Sequence, residues 1–322
     1  MKKFKLAIVG VTGLVGQTLI EVLKEEGMLE YIDLVLFASK KSCGKRMIVQ
    51  GQEYKIFELT DDFEKMKIDY AIFSAGAQVS KCWAEKFMDA GVVVIDNTSA
   101  FRLNKNVPLI VPEINDVKGY QDCKLISNPN CSTIQLVLVL DKLRMLSRID
   151  RVDVSTYQSV SGAGRRALFD LANGTTNVFE NGIKNNIIPY IGEIDKRGFC
   201  AEEQKIMKET GKILNDKKMQ IVATSVRVPI SNCHCESVTV KFSDKVKVAD
   251  IYKALKCDYL EASKQKIYFP KEVKGLNKTF VCRIRQVSKC EIVMFIVADN
   301  LRRGAAYNAV GILKELINAK ES

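Results

Sequence analysis

One cysteine combines a tight turn with the start of a predicted helix. Cys131 lies in "SNPNCSTIQ", where Pro129 fixes its own φ and biases Asn128 towards an extended conformation. The run that follows, "STIQLVLVLDKL", is typical of an apolar helix with Ser132 or Thr133 near its start. The dipole and free amides of a helix N-terminus favour a thiolate, so this position predicts a nucleophilic cysteine rather than an inert buried thiol.

A thiolate nucleophile needs an acid or base near it, and the chain has a single histidine, His234. It lies in "PISNCHCE", an irregular segment that interrupts a strand-like run and follows Arg227. A lone histidine is more often a packed or surface residue, but loops carried by rigid strands commonly hold catalytic groups. Cys131 and His234 are therefore the candidate catalytic pair.

Other polar residues could bind an anionic substrate. Arg102 follows "DNTSAF" and Gln158 lies in "STYQSVSGAG", while Glu202 and Lys205 in "AEEQKIMKETGKIL" share one face of a predicted helix. Guanidinium groups such as those of Arg102 and Arg227 suit bidentate binding of a phosphate or carboxylate. The alternative is a structural role for both arginines and a surface salt bridge for the helical pair.

The N-terminal segment has the pattern of a nucleotide-binding unit. The strand-like run "KLAIV" is followed by "GVTGLVG" and by the helical run "QTLIEVLKEE", so Gly10, Gly13 and Gly16 form a loose dinucleotide fingerprint. The glycines alone are a weak signal, since a packing role would explain them too. Further apolar runs, "IDLVLFAS", "DYAIFSAG" and "VVVIDNTS", alternate with helical stretches, which predicts a doubly wound parallel sheet.

The end of the second predicted strand bears on cofactor choice. It reads "FASKKSCGK", with Ser39 and Lys40 where NAD-preferring folds usually carry an acidic residue. A hydroxyl beside ammonium groups suits a 2′-phosphate, so the sequence favours NADP. The alternative is that the lysines belong to a solvated loop.

Composition excludes several classes of protein. The 322 residues are 47% hydrophobic and 27% charged, long enough for two domains, and no run approaches the roughly 18 apolar residues of a membrane span. The net charge of +11 is spread without a basic and aromatic cluster, so a lysine-rich solvated surface is favoured over nucleic-acid binding, and a positive field that attracts small polyanions is the remaining alternative. The sequence has ten irregularly spaced cysteines and lacks a signal-peptide pattern, which predicts a cytoplasmic protein with reduced thiols. The cluster "CHC" is a poor zinc motif, because neighbouring residues of a strand point to opposite faces and would not converge on one metal ion.

The chain resembles the aspartate-semialdehyde dehydrogenase family along nearly its whole length. The motifs that carry the resemblance are "GVTGLVG", "SNPNCST", "TYQSVSGAG", "EEQK", "RVPISNCHCE" and "DNLRRGAAYNA", of which the cysteine box is the most specific. The resemblance implies that Cys131 forms an acyl-enzyme and that His234 is the general acid/base. It implies substrate or phosphate contacts for Arg102, Asn130, Gln158, Glu202, Lys205 and Arg227, and cofactor contacts for Gly10, Thr12, Gly13, Leu14, Val15, Gly16, Ser39, Lys40, Ser161, Gly162 and Asn300.

The resemblance also implies an activity and an architecture. The activity is NADPH-dependent reductive dephosphorylation of 4-phospho-L-aspartate to L-aspartate 4-semialdehyde, on the pathway to lysine, methionine, threonine and isoleucine. The architecture is α/β: a Rossmann-like doubly wound parallel sheet in residues 1–127, and an α+β catalytic and dimerisation domain with a mixed sheet in 128–302. The last helix, about 303–322, returns to the first domain. A homodimer is implied, with a homotetramer as the alternative, and no metal.

One departure and several competing readings remain. The family commonly has glycine before this histidine and serine after it, where this chain has Cys233 and Cys235, and a cysteine adopts a positive φ less easily than glycine. N-acetylglutamyl-phosphate reductase and glyceraldehyde-phosphate dehydrogenase pair cysteine with histidine too, but "NPNCST" is unlike either. A non-catalytic dinucleotide sensor would not need the pair, and a cysteine hydrolase would not need NADP.

Overall fold

The computed structural model describes residues 3–321, which form two compact units. The first comprises the described residues within Met1–Pro129 and Ala305–Ser322, and the second is Asn130–Gly304. The first unit is therefore made of two separate stretches of chain.

A seven-stranded sheet, in the order β3-β4-β2-β1-β5-β6-β7, forms the centre of the first unit. The strands are parallel except for the edge pair β3 and β4, which is antiparallel. The strands are β1 Phe4–Val9, β2 Ile32–Ala38, β3 Arg46–Val49, β4 Gln52–Glu58, β5 Tyr70–Phe73, β6 Val93–Asp96 and β7 Leu125–Ser127, and the first two helices are α1 Leu14–Glu25 and α2 Ala77–Asp89.

Helices cover both faces of this sheet. Successive side chains of a strand point to opposite faces, so Leu6 and Ile8 pack in one core with Leu19 and Leu23 of α1. Their neighbours Ala7 and Val9 pack in a second core that contains Ala84 and Phe87 of α2. A strand buried on both faces reads as a continuous apolar run, which is the pattern of "KLAIV".

The second unit contains a six-stranded mixed sheet in the order β11-β12-β13-β10-β8-β9. Its elements are α3 Cys131–Arg144, β8 Ile149–Gln158, α4 Arg165–Asn173, α5 Ala201–Ile213, β9 Gln220–Arg227, β10 His234–Phe242, α6 Val248–Ala254, β11 Leu260–Ala262, α7 Pro270–Val273, β12 Thr279–Ser288 and β13 Glu291–Ala298. The sequence predicts strands near "DRVDVSTYQSV", "IVATSVRVPI" and "SVTVKF", which correspond to β8, β9 and β10, but it did not indicate the hairpin of β12 and β13. The predicted fold class, a parallel N-terminal sheet with a second mixed sheet, is confirmed.

The chain re-enters the first unit through a π-helical turn, Arg302–Ala306, which runs into α8, Tyr307–Glu321. Leu313 and Leu316 of α8 join the core that holds Leu19 and Leu23 of α1. None of the helices in the described chain is both long and apolar enough to cross a membrane.

Candidate active site

The glycine turn of the first unit has no space for side chains. Gly10 has φ +98°, and a Cβ there would meet the backbone of Ser74 at 2.9 Å. A Cβ on Gly16 would lie 2.3 Å from the Gly10 carbonyl oxygen, and one on Gly13 would lie 3.2 Å from it. The turn therefore leads without side chains into α1, whose first residues are Leu14 and Val15. An anion such as a pyrophosphate can approach the backbone N–H groups closely at such a helix start.

A cavity of about 420 Å³ adjoins this turn, and its volume and lining suit part of a dinucleotide. Thr12, Ser39 and Lys40 line it, together with the apolar side chains of Val79 and Trp83. Glu58, which pairs with Ala38 at the ends of β4 and β2, lines the same cavity and was not indicated by the sequence. Of the predicted cofactor residues of the first unit, Gly10, Thr12, Gly13, Ser39 and Lys40 line this cavity, whereas Leu14, Val15 and Gly16 follow in the first turn of α1 and do not line it.

Arg102 is buried in the first unit beside the end of β6. Its Nη2 donates to the Asn97 carbonyl oxygen at 3.0 Å. Burial raises the pKa of the neighbouring Asp96 carboxyl, and hydrogen bonds from Ser80 and Thr98 and the charge of Arg102 oppose that rise. In this unit Arg102 is therefore held by the segment that follows β6.

In the second unit, Cys131 is the first residue of α3, as the turn chemistry indicated. Asn130 is the N-cap, and its Oδ1 accepts from the backbone N–H of Ser132 at 2.9 Å and of Thr133 at 3.3 Å. The backbone N–H of Asn130 donates to Oε2 of Glu209 at 2.7 Å. These bonds fix the first turn of the helix and hence the Cys131 backbone.

Glu202 joins the cap of α3 to the other predicted substrate residues. Its Oε1 accepts from Asn130 Nδ2 at 2.8 Å and from Gln158 Nε2 at 3.2 Å, and its Oε2 accepts from Lys205 Nζ at 3.0 Å. Burial alone would raise the pKa of Glu202, but the charge of Lys205 and these hydrogen bonds lower it to about 2. The site therefore holds a fixed, buried carboxylate.

His234 is the first residue of β10 and is fully buried. The sequence predicted that the irregular segment "PISNCHCE" includes His234, but in the structure strand β10 begins at His234 and the irregular segment ends at Cys233. The Nδ1 of His234 accepts from the Ser159 backbone N–H at 3.1 Å, and its Nε2 has no hydrogen-bond partner in the described chain. Burial and the charge of Arg227 lower the pKa of His234 to about 3, against smaller opposing effects of Glu202 and the Cys233 backbone.

Arg227 connects the histidine to the nucleophile. It ends β9 beside Gln158 at the end of β8, and its Nη1 donates to the Ser159 carbonyl oxygen at 2.7 Å. Burial lowers the pKa of Arg227, and the negative charges of Glu202 and of a Cys131 thiolate raise it. A Cβ on Gly162 would meet Arg227 Nη1 at 3.1 Å and His234 Nε2 at 3.5 Å, so this glycine lies against both side chains.

The departure from the family pattern has a visible consequence at Cys233, which adopts φ +71°. The chain thus keeps, with a cysteine, the left-handed conformation that glycine reaches more easily. The backbone N–H of Cys233 donates to Asn300 Oδ1 at 2.9 Å, and its Sγ donates to the Pro270 carbonyl oxygen at 3.3 Å. These bonds oppose the conformational cost.

Besides Glu58 in the first unit, the sequence analysis missed three residues of the site in the second unit: Ser159, Glu209 and Gly304. Gly304 lies so close to the nucleophile that a Cβ there would meet the Cβ of Cys131 at 2.9 Å. Glu209 follows Glu202 by two helical turns on α5, a spacing that could have indicated a shared face. Ser159 and Gly304 contact residues distant in sequence, and no local pattern marks them.

The second unit thus brings together the predicted catalytic and substrate residues Cys131, His234, Asn130, Gln158, Glu202, Lys205 and Arg227, along with Ser161, Gly162 and Asn300. A thiol at a helix N-terminus that interacts electrostatically with a guanidinium, in a unit that also holds a buried imidazole and a fixed carboxylate near that guanidinium, can form and break an acyl bond. No three His, Cys, Asp or Glu side chains within residues 3–321 are grouped so as to hold a metal ion.

The chain is similar to known proteins along nearly its whole length. Residues 5–119 match the family model "Semialdehyde dehydrogenase, NAD binding domain", and residues 140–303 match "Semialdehyde dehydrogenase, dimerisation domain". The aspartate-semialdehyde dehydrogenase of Aquifex aeolicus is 40% identical over 334 residues, which cover 98% of each chain. That of Campylobacter jejuni is 39% identical over 343 residues, with 99% of each chain covered.

A solved structure extends the agreement to three dimensions. The crystal structure of aspartate semialdehyde dehydrogenase II from Vibrio cholerae, complexed with ASA, is similar with a TM-score of 0.94. The sequence identity is 36%, and 99% of each chain is covered. The chain belongs to the aspartate-semialdehyde dehydrogenase family.

Proposed function

We propose that the protein reduces 4-phospho-L-aspartate to L-aspartate 4-semialdehyde through a thioester on Cys131, in the pathway to lysine, methionine, threonine and isoleucine. The observation that carries the proposal is the N-terminus of α3. Asn130 caps the helix that begins at Cys131 and, through the same side chain, binds Glu202. The nucleophile and the group that would recognise the substrate are therefore fixed by one amide.

Cys131 starts the reaction as a thiolate. The helix N-terminus and the Arg227 guanidinium both favour a negative charge at this position. The sulfur attacks the acyl carbon, the C–S bond forms, and the bond to the phosphate oxygen breaks as inorganic phosphate leaves with the electron pair. The Cys131 backbone N–H and the Asn130 amide are candidates for binding the oxyanion.

Each charged group of the substrate is assigned to a residue of opposite charge. The Glu202 carboxylate suits the α-ammonium group of an aspartyl substrate, and Arg227 suits its α-carboxylate, because each offers the opposite charge in a buried setting. Lys205 and Arg102 are the proposed phosphate-binding residues. An N-acetylated substrate has no ammonium group for Glu202, which is the argument against the N-acetylglutamyl-phosphate reaction.

NADPH is the proposed cofactor, and when bound it would supply the hydride that reduces the thioester. Gly10, Gly13 and Gly16 would admit its pyrophosphate, and Ser39 and Lys40 would bind the 2′-phosphate. Ser161, Gly162 and Asn300 are the proposed contacts of the second unit. We further propose that the enzyme is cytoplasmic and works as a homodimer, since residues 140–303 match a dimerisation domain.

The test is the reverse reaction with purified protein, L-aspartate semialdehyde and inorganic phosphate, following absorbance of the reduced cofactor. We expect phosphate-dependent reduction that is faster with NADP⁺ than with NAD⁺. Cys131→Ala should abolish it, whereas Cys290→Ala, which removes another partly exposed thiol, should not. Reduction without phosphate, or near-normal activity in a folded Cys131→Ala protein, would contradict the proposal. Activity only with N-acetylglutamate semialdehyde would favour the related reductase.

A further inference from the structure

The cavity beside the glycine turn crosses the carboxyl ends of four neighbouring strands. It is lined by Glu58 at the end of β4, Ala38 at the end of β2, Val9 at the end of β1 and Ser74 directly after β5. These strands are adjacent in the sheet in that order. Ligands of doubly wound folds bind at this edge, at the point where the strand order reverses. One half of a dinucleotide can therefore extend from the glycine turn to the end of β4.

Among the described residues that line the cavity, Lys40 and Glu58 are the two with ionisable side chains. Lys40 is proposed for the 2′-phosphate and the glycine turn for the pyrophosphate. The half-buried carboxylate of Glu58 accepts no hydrogen bond and forms no ion pair within residues 3–321. A carboxylate repels both phosphates, so Glu58 suits a hydrogen-bond donor on another part of the cofactor. The amino group of adenine is such a donor.

The same cavity has an apolar wall, formed by Leu59, Val79 and Trp83. All three side chains also pack against the core that contains Phe63. The rings of Phe63 and Trp83 meet edge to face, with their centroids 6.2 Å apart. Lys86 Nζ lies 4.6 Å from the centroid of the Trp83 ring, and Lys86 does not line the cavity. The indole is thus held by its neighbours and offers the cavity an aromatic surface on which a purine base can stack.

We propose that Glu58 and Trp83 recognise the adenine base of the cofactor. The base lies against the Trp83 ring, and its 6-amino group donates a hydrogen bond to the Glu58 carboxylate. Glu58 is then a specificity-determining residue, because it favours adenine over a base that carries an oxygen at position 6. The inference rests on the proposed function for the identity of the cofactor and adds the residues that select its base.

Tryptophan fluorescence reports directly on this cavity, because Trp83 is the only tryptophan of the chain. The first test titrates the full-length protein with adenosine 2′,5′-bisphosphate, which carries the base and the 2′-phosphate but no nicotinamide. We expect saturable quenching by this compound and by NADP⁺, and no change with nicotinamide mononucleotide. A fluorescence change with nicotinamide mononucleotide alone would place the other half of the cofactor against Trp83 and overturn the inference.

The base preference due to Glu58 is measured as the ratio of the dissociation constants of NADP⁺ and its hypoxanthine analogue, deamino-NADP⁺. The analogue places an oxygen, instead of the amino group, opposite the carboxylate. The wild type should bind NADP⁺ more tightly by about tenfold or more, the usual effect of a hydrogen bond to a charged group. The amide of Glu58→Gln can accept from an amino group or donate to an oxygen, so its preference should fall to about threefold or less.

This ratio separates recognition of the base from the effect of charge. NADP⁺ and deamino-NADP⁺ carry the same phosphates, so any effect of the lost negative charge on phosphate binding cancels. Glu64→Gln is the matched control, since it removes a negative charge at an exposed position outside the cavity and should keep the wild-type ratio. If Glu58 bound a ribose hydroxyl instead, the ratio would be near one in the wild type and in Glu58→Gln alike, and the inference would fail.

Variants of Trp83 test the stacking surface, with calorimetry in place of fluorescence and circular dichroism to confirm that they are folded. Trp83→Ala should weaken NADP⁺ and deamino-NADP⁺ alike, by about 5- to 100-fold, the usual effect of losing an aromatic partner of a base. Trp83→Phe should retain most of the affinity. Wild-type affinity in Trp83→Ala would show that the base does not lie against the indole.

These measurements follow binding and need no turnover. A protein that shows the expected ratios but does not reduce NADP⁺ in the presence of L-aspartate semialdehyde and phosphate would contradict the proposed reaction and support the inference. A protein that is active but does not distinguish NADP⁺ from deamino-NADP⁺ would support the reaction and overturn the inference.

Discussion

At the scale of single residues, Glu236 is a buried carboxyl for which the proposed chemistry has no use. It lies two residues after His234 on β10, it is fully buried, and neither of its oxygens has a hydrogen-bond partner within residues 3–321. Burial raises its pKa well above the usual value, and the nearby Gln135 amide offsets only part of that rise. Burial therefore favours the protonated, neutral form of Glu236 in the folded protein.

This protonation state predicts a pH-dependent stability. Above the pKa of an unfolded glutamate, the folded state keeps a proton that the unfolded state has lost, so stability falls as pH rises. The slope is about 1.4 kcal/mol per pH unit until the folded-state pKa is reached. Glu236→Gln, a neutral isostere, should remove this loss. We expect its advantage in the free energy of unfolding by urea to grow as the pH rises above the pKa of an unfolded glutamate, with a slope no steeper than that.

The exposed Glu64 provides the control for this prediction. Glu64→Gln should leave the urea midpoint unchanged at each pH. A Glu236→Gln protein that is less stable than the wild type at pH 8 would show that the carboxyl is ionised and bound by a partner.

At the scale of elements, the π-helical turn Arg302–Ala306 and the start of α3 fit together through Gly304. A methyl group on Gly304 would meet Cys131 at its Cβ, Cα and carbonyl oxygen, and two of these three atoms belong to the backbone. Backbone cannot move aside as a flexible side chain can. Cys131 can therefore occupy its position only because Gly304 has no side chain.

Gly304→Ala should accordingly lower kcat by about 10²-fold, since displacement of a reacting group by about 1 Å has this effect. Binding of NADP⁺, measured by calorimetry, should change much less, because the three atoms nearest to the new methyl group all belong to Cys131 and not to a proposed cofactor contact. Gly119→Ala is the matched control, because a Cβ there meets nothing within 4 Å. Wild-type kcat in Gly304→Ala would mean that Cys131 tolerates the shift.

A feature could be predicted from the sequence when the residues that form it lie close together along the chain. The helix start at Cys131 and the shared face of Glu202 and Lys205 depend on residues within one or two turns, and the structure places them as predicted. Contacts such as Ser159 with His234 depend on β8 lying beside β10, which local patterns do not specify. The strand pair β12 and β13 was missed although its β-branched and aromatic residues gave a usable signal.

At the scale of the whole molecule, the core of the first unit is completed by residues from the far end of the chain. Leu313 of α8 is fully buried in the cluster that contains Leu19 and Leu23 of α1. The last helix is therefore part of the core and not an appendage. Its contacts matter for the stability of the nucleotide-binding sheet as much as those of α1.

Leu313→Ala should reduce the free energy of unfolding by about 2 to 5 kcal/mol, the usual effect of emptying a buried leucine site. Leu103→Ala serves as the control, because Leu103 belongs to the same unit and is 49% exposed, so its effect should stay within about 0.5 kcal/mol. Urea unfolding followed by far-ultraviolet circular dichroism measures both. Equal midpoints for the two variants would show that α8 adds little to the core.

The order of the two units along the chain has a consequence for synthesis on the ribosome. The second unit, Asn130–Gly304, is continuous and emerges before α8 has been translated. Until then α1 covers only part of one apolar face of the sheet β1 to β7, because the leucines and isoleucines of α8 that complete the cover are not yet made. The unit translated first is thus the last to finish folding, and during that interval the part of this face that α8 will cover is exposed to aggregation and to chaperones.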